Sequence, residues 1–325
     1  MLNAFLYDGK GHDREVTLGA TLPRLSRQKL LWIDVTSPTA EDKTRLRTLL
    51  KISDAAVFEE ARERHETRLA TFGNCIAFDL VAIQAPEDKA ARTPVTRKVS
   101  YVFGDLWVVT LHDGELPYLD QFRQQERGET LIGGLTGAGL VSSLLDWHLD
   151  TFLTAAAAIE TLCDDIDVRI LAGARAGEEV LREIVTARRH VAFLLRLLEV
   201  QRPVFYGLAR ADIEVALDED AKSHVESLAR RFERTFDVIQ GGRNLIRGSF
   251  DLHTARLAEN TNTLVRRLTF LSVMLGIVGA VAGIFGMNFD TRIAHMGEAG
   301  FWAVLAAVAC FLASLTLLAG WRKWL

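Results

Sequence analysis

The sequence has few cysteines, and none of them stands close to another. Its 325 residues contain three, Cys75, Cys163 and Cys310. A disulfide framework or a structural zinc site would need cysteines at short, regular spacing. We therefore expect free thiols in a reducing compartment. The first residues also lack a basic segment followed by an apolar one, so we expect no cleavable signal peptide and a cytoplasmic soluble part.

The short motifs that mark common enzyme sites are absent from the sequence. There is no P-loop, no glycine-rich dinucleotide fingerprint, no HExxH and no GxSxG. The 8 histidines are scattered, and none stands at metal-ligand spacing from another histidine or a cysteine. The sequence therefore predicts no enzyme, no catalytic residue and no bound cofactor.

An excess of positive charge is also missing. The formal net charge is -4 and the isoelectric point is about 6.1, which gives no case for nucleic acid as a partner. Asp164, Asp165 and Asp167 form a cluster of carboxylates. It has two interpretations, a solvated helix face or a weak site for a hard divalent cation, which prefers oxygen ligands.

Charge is missing altogether from two long stretches near the C-terminus, residues 268–289 and 300–321. Each is long enough to cross roughly 30 Å of hydrocarbon as a helix. Basic pairs stand at 266–267 and 322–323, on the outer flanks of the two stretches. Because positive residues favour the cytoplasmic side, we expect a lipid bilayer as partner, both termini in the cytoplasm and the short loop outside.

The rest of the chain divides by composition into strand-rich and helix-rich parts. Strands of a mostly antiparallel sheet come first, with a capped helix at 40–50 and another at 55–66. Later helices are predicted at 140–171 and at 178–198, the latter ending before Pro203. The predicted segments are an α/β domain (1–135), a helical segment (136–221), a stalk helix continuing into the first span (222–286), an outer loop (287–300) and the second span with a basic end (301–325).

One face of the first span carries small and polar residues. At 100° per residue, that face contains Val265, Thr269, Ser272, Gly276, Gly279 and Gly283. Large apolar residues such as Phe270 and Met274 lie on the other side. Simple anchoring in lipid does not require such a stripe. Close helix packing and a pore lined by hydroxyl and backbone oxygens both explain it.

The first span ends in Gly286-Met287-Asn288. In a symmetric oligomer, a ring of carboxamide and carbonyl oxygens offers neutral acceptors to the water shell of a divalent cation. Mg²⁺ gives up its waters reluctantly, so a ring that holds the hydrated ion avoids the dehydration cost. Neutral oxygens also bind weakly enough to release the ion, which conduction requires.

These features together resemble the CorA family of divalent cation transporters, including its ZntB-like branch. A long helix feeds the first of two C-terminal spans, and that span ends in Phe285-Gly286-Met287-Asn288. Asn262, at the base of the span, is similar to a pore-lining asparagine of the family. The resemblance is strong over residues 222–325 and only architectural before them.

The resemblance implies an α+β cytoplasmic domain, a long stalk helix and two transmembrane helices, assembled as a homopentameric funnel in the bacterial inner membrane. It implies a selectivity filter at Gly286, Met287 and Asn288, with Asn288 holding the ion through its hydration shell. Asn262 and the stripe residues would line the pore, and Asp290 and Glu298 in the loop would attract cations. No cofactor is implied, only the transported ion.

The loop departs from the pattern of the Mg²⁺-transporting members. Where a Met-Pro-Glu-Leu stretch is usual, residues 292–295 read RIAH. The expected cargo is hydrated Mg²⁺, with Co²⁺ or Ni²⁺ left open. Two alternatives also remain: a ZntB-like Zn²⁺ transporter, which could be coupled to protons, and a membrane-anchored oligomeric sensor without transport.

Overall fold

The computed structural model describes residues 1–19, 21–52, 55–58, 67–84, 94–125, 130–172, 177–210, 219–287 and 297–322. These residues form two compact units. The first unit is Met1–Val168 with Glu178–Ser249, and the second is Arg169–Gly177 with Phe250–Leu325. Most of the helix predicted at 55–66 and nearly all of the loop at 85–94 lie outside the described residues. The division into five segments stays a prediction.

Within the part of the chain that the structure describes, seven strands form one sheet in the order β2-β1-β3-β7-β6-β5-β4. Only β3 and β7 pair in parallel, and all other neighbours are antiparallel. The mostly antiparallel sheet is therefore confirmed. The strands are β1 (Leu2–Asp8), β2 (Arg14–Glu15), β3 (Lys29–Thr36), β4 (Leu69–Phe72), β5 (Cys75–Gln84), β6 (Val95–Phe103) and β7 (Trp107–His112).

Six α-helices accompany the sheet within the described residues. They are α1 (Ala40–Leu49), α2 (Pro117–Gln125), α3 (Gly137–Leu171), α4 (Gly177–Gly207), α5 (Glu219–Phe285) and α6 (Gly297–Trp321). Helix α1 begins where the sequence predicts, because the Thr39 side chain accepts from the Asp42 N–H and the Asp42 carboxylate accepts from the Thr39 N–H. This capping box satisfies donors that a helix start would otherwise leave unpaired.

One face of the sheet closes a hydrophobic core against α1. Alternate residues of a strand point to the same face, which places Ala4 of β1 beside Ile33 of β3. Both pack in one buried cluster with Leu46 of α1. Each fully buried aliphatic side chain contributes about 1.5–3 kcal/mol. This core depends only on residues of the first unit.

The other face of the sheet packs on α2 and carries buried polar groups. The Trp32 ring meets the Phe122 ring edge to face at 5.7 Å. The hydroxyls of Tyr101 and Tyr118 lie 2.7 Å apart, and burial raises the pKa of both phenols, so one hydroxyl donates to the other. These contacts fix α2 on the sheet.

Asp34 is a buried carboxylate on this second face. It is 1% exposed. Its Oδ1 accepts a short hydrogen bond from Thr110 and lies 3.1 Å from His112 Nε2, while its Oδ2 lies 3.5 Å from Arg123 Nη1. A buried carboxylate without such partners would cost several kcal/mol. The network therefore offsets the desolvation cost of burying Asp34, and it links β3, β7 and α2.

Helix α4 runs beyond its predicted end. It was expected to stop before Pro203, but it continues to Gly207. Val204 and Phe205 are fully buried, and the Phe205 ring stacks on Phe232 of α5 at 4.7 Å. Packing of these side chains outweighs the single backbone hydrogen bond that proline removes so close to the helix end.

Helix α5 continues from the first unit into the second without a break, as the sequence predicts. In the first unit it is held to α3 by Arg231, whose Nη2 donates to Asp150 at 2.6 Å and whose Nε lies 3.3 Å from Asp146 Oδ1. Burial raises the pKa of Asp146, and the Arg231 charge opposes that shift. These groups are partly exposed, so each pair contributes at most about 1 kcal/mol.

A buried histidine and glutamine join α3, α4 and the sheet. His148 Nε2 lies 2.8 Å from Gln201 Oε1, and the Gln201 amide donates to Val81 O and Leu197 O. Because Gln201 Oε1 can only accept, His148 Nε2 carries the proton. His148 Nδ1 has no hydrogen-bond partner among the described residues. Burial lowers the pKa of His148 to about 4, so the ring is neutral at pH 7.

This buried histidine predicts a stability loss in mild acid. Its pKa is lower in the folded chain than in the unfolded one, so the unfolded state takes up a proton first as the pH falls below about 6.5. The resulting loss in the free energy of unfolding grows until the pH reaches about 4, and it then amounts to about 3 kcal/mol. Thermal unfolding of the full chain in detergent at pH 7 and pH 5 measures it.

The matched substitutions are His148→Gln and His12→Gln, the second at an exposed histidine. His148→Gln should melt earlier at pH 7 and lose less on acidification than the wild type. His12→Gln should keep the wild-type difference between the two pH values. Equal pH dependence in wild type and His148→Gln would contradict the prediction.

Candidate functional site

The second unit contains two helices that are long and apolar enough to cross a membrane. They are Lys222–Phe285, within α5, and Gly297–Trp321, which is α6. Many large apolar side chains on both helices are more than half exposed, including Leu264, Leu275 and Phe301 at 64% each. Apolar surface of this extent needs a lipid or protein environment. The structure therefore supports the two predicted spans.

One narrow seam along the membrane part of α5 is partly buried, and the rest of the helix surface is exposed. Phe270, Met274, Ile277 and Val281 are partly buried and recur every three or four residues. The predicted pore-lining residues are all exposed, and they lie away from that covered face. They are Asn262, Val265, Thr269, Ser272, Gly276, Gly279 and Gly283.

The glycines of this exposed face are not required by the packing of a single chain. A Cβ added at Gly276, Gly279 or Gly283 would meet nothing within 4 Å. Glycine in the middle of a helix costs about 1 kcal/mol relative to alanine. A helix that keeps three of them without any internal need must approach another helix closely or leave an open space along its surface.

The exposed stripe follows a strict repeat that extends beyond the residues predicted to line the pore. Its members alternate at spacings of three and four residues, which gives a repeat of seven. The same repeat continues outwards to Gly286 and inwards to Ala258, Ala255 and Asp251, and these inner residues are also exposed. Between Asp251 and Gly286, Asp251 is the only charged member of the series. The seven-residue spacing was the signal that could have identified it.

The predicted filter lies at the outer end of α5. The helix closes with Gly286 N–H donating to Ala282 O at 2.9 Å and Met287 N–H to Ile284 O at 3.3 Å. Met287 is 55% exposed. Asn288 lies outside the described residues, so its role as the cation-holding residue stays a prediction.

The two loop residues predicted to attract cations have different outcomes. Asp290 lies outside the described residues. Glu298 is exposed in the first turn of α6, where a carboxylate is favoured by the positive end of the helix dipole. This helix-start contribution explains Glu298 without any ion, so its role in attracting ions stays a prediction.

Elsewhere, the described residues contain no group of three or more histidine, cysteine, aspartate or glutamate side chains that could hold a metal ion. Asp164, Asp165 and Asp167 therefore do not converge on a shared site. Asp164 and Asp165 are exposed, as a solvated helix face predicts, whereas Asp167 is partly buried and its Oδ1 has no hydrogen-bond partner among the described residues.

The sequence profile of the CorA-like Mg²⁺ transporter protein family matches residues 27–321. The chain belongs to this family. It is a family of divalent cation transporters, not of enzymes, and its members are membrane proteins with two C-terminal apolar helices. The combination of a mixed α/β domain, a long helix and two apolar C-terminal helices is the architecture of solved CorA structures.

Several curated relatives share part of this sequence. A putative metal ion transporter of Schizosaccharomyces pombe is 25% identical over 318 residues, which are 90% of this chain and 50% of the relative. The cobalt/magnesium transport protein CorA of Thermotoga maritima is 21% identical over 57% of this chain and 52% of its own length. This chain thus spans about half the length of these two relatives. CorA of Methanocaldococcus jannaschii is 21% identical over 87% of this chain and 88% of its own.

Solved structures share the fold at low identity. The complete CorA magnesium transporter of Methanocaldococcus jannaschii superposes with a TM-score of 0.70 at 18% identity, over 99% of this chain and 98% of the other. The full-length CmaX protein gives 0.66 at 21% identity, over 99% and 97%. The cytoplasmic domain of ZntB from Vibrio parahaemolyticus gives 0.58 at 10% identity, over 79% and 99%. These likenesses establish the architecture.

The open glycine stripe yields a test that separates folding from function. Gly276→Leu adds a side chain where the single chain has free space, and it should not lower helix content in circular dichroism. It should nevertheless remove divalent cation flux into liposomes, because the added side chain fills space that the assembly needs. The matched change Val278→Leu, at another exposed position of α5, should leave flux within about twofold of wild type. Equal flux in the two variants would contradict this interpretation of the stripe.

Proposed function

We propose that this chain carries hydrated Mg²⁺ across a membrane through a pore lined by α5 in a homopentamer. One observation carries the proposal: a stripe of small and polar residues stays exposed from Asn262 to Gly286, on the side of α5 away from its partly buried side chains. In a family of divalent cation transporters, such a surface suits an axis shared by several copies. The helix spans a bilayer, and its large apolar residues face lipid or α6.

The stripe has the chemistry of a path for a hydrated ion. Between Asn262 and Gly286 it offers hydroxyls, a carboxamide, exposed backbone and one apolar residue, Val265, and no charge. Neutral oxygens interact with the water shell of an ion without binding it too tightly to leave. The glycines widen the passage, since they add no side chain to it.

The Gly286-Met287-Asn288 segment forms the outer filter in this proposal. Five Asn288 carboxamides present oxygens to the waters of the ion, so Mg²⁺ enters without losing its shell. Asp290 and Glu298 raise the local cation concentration near this ring, because like-signed carboxylates at a pore mouth focus the field on cations. Their attraction is partly offset by Arg292.

At the inner end, Asp251 continues the same repeat as Asn262. In the proposed assembly, copies of this carboxylate meet around the axis and form a cation-attracting ring on the cytoplasmic side. Oxygen ligands of this kind suit a hard divalent ion. The ring gives the ion a resting position below the uncharged stripe.

The orientation follows from the basic pairs that flank the spans. Arg266-Arg267 and Arg322-Lys323 lie on the cytoplasmic side of a bacterial inner membrane, with both termini there and the loop outside. The membrane potential then drives entry and supplies about 4.6 kcal/mol per divalent ion per 100 mV. No further energy source is required for uptake.

Mg²⁺ is proposed over Zn²⁺ because of the ligands that the stripe offers. Zn²⁺ favours histidine and cysteine, and neither occurs between Asn262 and Asn288. Two of the relatives described above carry the name cobalt/magnesium transport protein, which agrees with this choice and keeps Co²⁺ as a second cargo.

The decisive experiment is ion uptake into liposomes that contain the purified full-length chain, followed with Mg²⁺- and Zn²⁺-sensitive dyes. The wild type should admit Mg²⁺ under an imposed negative-inside potential. Asn288→Ala should lower the Mg²⁺ flux by at least about tenfold while the oligomer keeps its size, because the ring loses its acceptor oxygens. Asn260→Ala, at an exposed asparagine of α5 outside the seven-residue repeat, serves as the matched control.

Other outcomes would replace the proposal. Entry of Zn²⁺ without Mg²⁺ would assign the chain to the zinc-transporting branch, and a pH gradient would then test proton coupling. An assembled oligomer that admits neither ion would favour a membrane-anchored sensor. Unchanged Mg²⁺ flux in Asn288→Ala would show that Asn288 does not act as the selectivity filter.

The inner ring gives a separate prediction. Asp251→Asn removes its charge without changing side-chain size, and it should lower Mg²⁺ flux severalfold at low ionic strength and less at high salt, because screening weakens the attraction. Glu226→Gln, which also removes one exposed carboxylate from α5 but at a position outside the repeat, should have no such effect. A flux that is equally insensitive to both changes would exclude Asp251 from the ion path.

A further inference from the structure

Charge is distributed unevenly over the three long helices of the first unit. From residue 137 to residue 168, α3 carries six carboxylates and no lysine or arginine. By contrast, residues 184–198 of α4 and 238–250 of α5 contain arginines and no carboxylate. In a chain whose formal net charge is -4, this separation gives the three helices oppositely charged surfaces.

One side of α5 packs against α3 and is acidic. Arg231 of α5 pairs with Asp146 and Asp150 of α3. Residues seven positions apart lie near the same face of a helix, because the drift is only about 20° per repeat. The face of Asp146 and Asp150 therefore continues, two repeats further along α3, with Glu160 and Asp164. Both of these carboxylates are exposed.

The face of Arg231 on α5 continues with apolar residues. Val238 and Leu245 follow Arg231 by one and two repeats of seven, and they are 45% and 43% exposed. Glu160, Asp164, Val238 and Leu245 therefore lie on one side of the three helices. We call this set the acidic flank.

The other side of α5 packs against α4 and is basic. Arg202 Nη1 of α4 lies 3.4 Å from Glu233 Oε1, and the Arg202 guanidinium lies 4.8 Å from the centroid of the Phe236 ring. Arg243 follows Phe236 by one repeat of seven, and Arg247 follows Glu233 by two. Both arginines therefore lie on the α4 side of α5.

Helix α4 adds a third arginine and an apolar residue to this side. Arg188 precedes Arg202 by two repeats of seven, and Val185, which is 40% exposed, lies three residues before Arg188 on the same face. A Cβ added at Gly242 of α5 would lie 3.7 Å from Val191 of α4, which places this part of α4 beside the arginines of α5. We call Val185 and the three arginines the basic flank.

The charges of the two flanks are not neutralised within the chain as described. Arg188, Arg243 and Arg247 are exposed, and none of them forms a hydrogen bond or ion pair with a described residue. Glu160 and Asp164 likewise form no ion pair with a described residue. Each flank thus offers charges that the other flank can complement.

The two flanks lie on opposite sides of the small-residue stripe of α5. Asn244 continues the series of that stripe, seven residues before Asp251. Its chain neighbours are Arg243 of the basic flank and Leu245 of the acidic flank, and they lie about 100° to either side of it. If the stripe faces a shared axis, one flank faces the preceding copy and the other faces the following copy.

The two flanks also lie at the same height along α5. The Ser249 side chain hydrogen-bonds the Cys163 thiol of α3, which places the next residue, Asp164, at the level of Ser249. Arg247 stands two residues before Ser249, a rise of about 3 Å along the helix. In a closed ring of copies, every residue keeps its height along the axis. The opposite charges can therefore meet when one copy stands beside the next.

We propose that the acidic flank of one copy docks on the basic flank of the next, with Glu160 and Asp164 facing Arg188, Arg243 and Arg247. The inference rests on the homopentamer proposed above and names the surfaces that join its copies. The contact is head-to-tail, and repetition of such a contact around an axis closes a ring. Opposite charges disfavour pairing of like flanks and so fix the order of the copies. The exposed apolar residues of both flanks are covered in the same contact.

Engineered cysteines test this contact in the full-length chain. In a Cys310→Ser background, which keeps only the two buried native thiols, Asp164→Cys and Arg243→Cys place thiols on opposite flanks. A short bismaleimide can then join them only between copies, and it should give a ladder of cross-linked species on denaturing gels. The matched control combines Asp164→Cys with Arg230→Cys. Arg230 is also exposed on α5 but lies about 20 Å further down the helix, so this pair should give no ladder.

Charge exchange gives a second test. Arg243→Glu with Arg247→Glu should raise the concentration at which the oligomer dissociates in detergent by at least about tenfold, because like charges then face each other. Adding Glu160→Arg and Asp164→Arg to the same chain should return that concentration to within about twofold of wild type, since the pairs are restored with reversed polarity. Light scattering on diluted samples measures both values.

The outcomes separate this inference from the pore. A wild-type chain that is monomeric would overturn the homopentamer itself. An oligomer that forms without the cross-link between positions 164 and 243, or that links equally through position 230, would overturn the docking and leave the pore intact. Reversed charges that leave dissociation unchanged, or that the exchange does not rescue, would exclude pairing of these groups.

Discussion

Hydration of the apolar surface of α5 and α6 is unfavourable, and the second unit therefore needs an apolar environment around these helices. Leu264, Leu268 and Leu275 are each 64% exposed within one chain. At about 25 cal/mol per Å² of apolar surface, such exposure is tolerated only in lipid or against another protein surface. Lipid hydrocarbon stabilises large apolar side chains. It offers no hydrogen bonds to hydroxyls, and glycines have no side chain to bury in it. The assembly proposed above gives the two surfaces of α5 two different neighbours, lipid or α6 for one and copies of α5 for the other.

The first unit differs from the second, because its apolar side chains are buried within the unit itself. Both faces of its sheet are covered, so every polar group within must find a partner inside the protein. Asp34 and Gln201 do so through side chains from neighbouring elements. These bonds tie the helices to a rigid sheet. A rigid sheet domain is a suitable support for α5, which leaves the first unit as a single continuous helix.

Local patterns in the sequence predicted most of the fold. The cap at Thr39 and the uninterrupted α5 depend on neighbouring residues and were confirmed. The predicted end of α4 was wrong, because burial of Phe205 against α5 overrides the local proline signal. The parallel pairing of β3 with β7 depends on residues more than seventy positions apart, and no local pattern encodes it. In the candidate site, the stripe was found by periodicity. The repeat that includes Asp251 extends beyond the predicted span, so the composition of the span alone does not indicate this residue. Asn288 keeps its role as a prediction.

The seven-residue repeat along α5 has a mechanical consequence. A straight α-helix has 3.6 residues per turn, so a seven-residue stripe drifts by about 20° per repeat. From Asp251 to Gly286 the series spans five repeats, and the accumulated drift is about 100°. Straight neighbours would lose the stripe from their common axis, so the helices of the proposed assembly must coil around one another with a left-handed twist. Tightening or relaxing that coil would turn glycine or bulkier flanking residues towards the axis. The width of the proposed passage would then depend on the pitch of the coil.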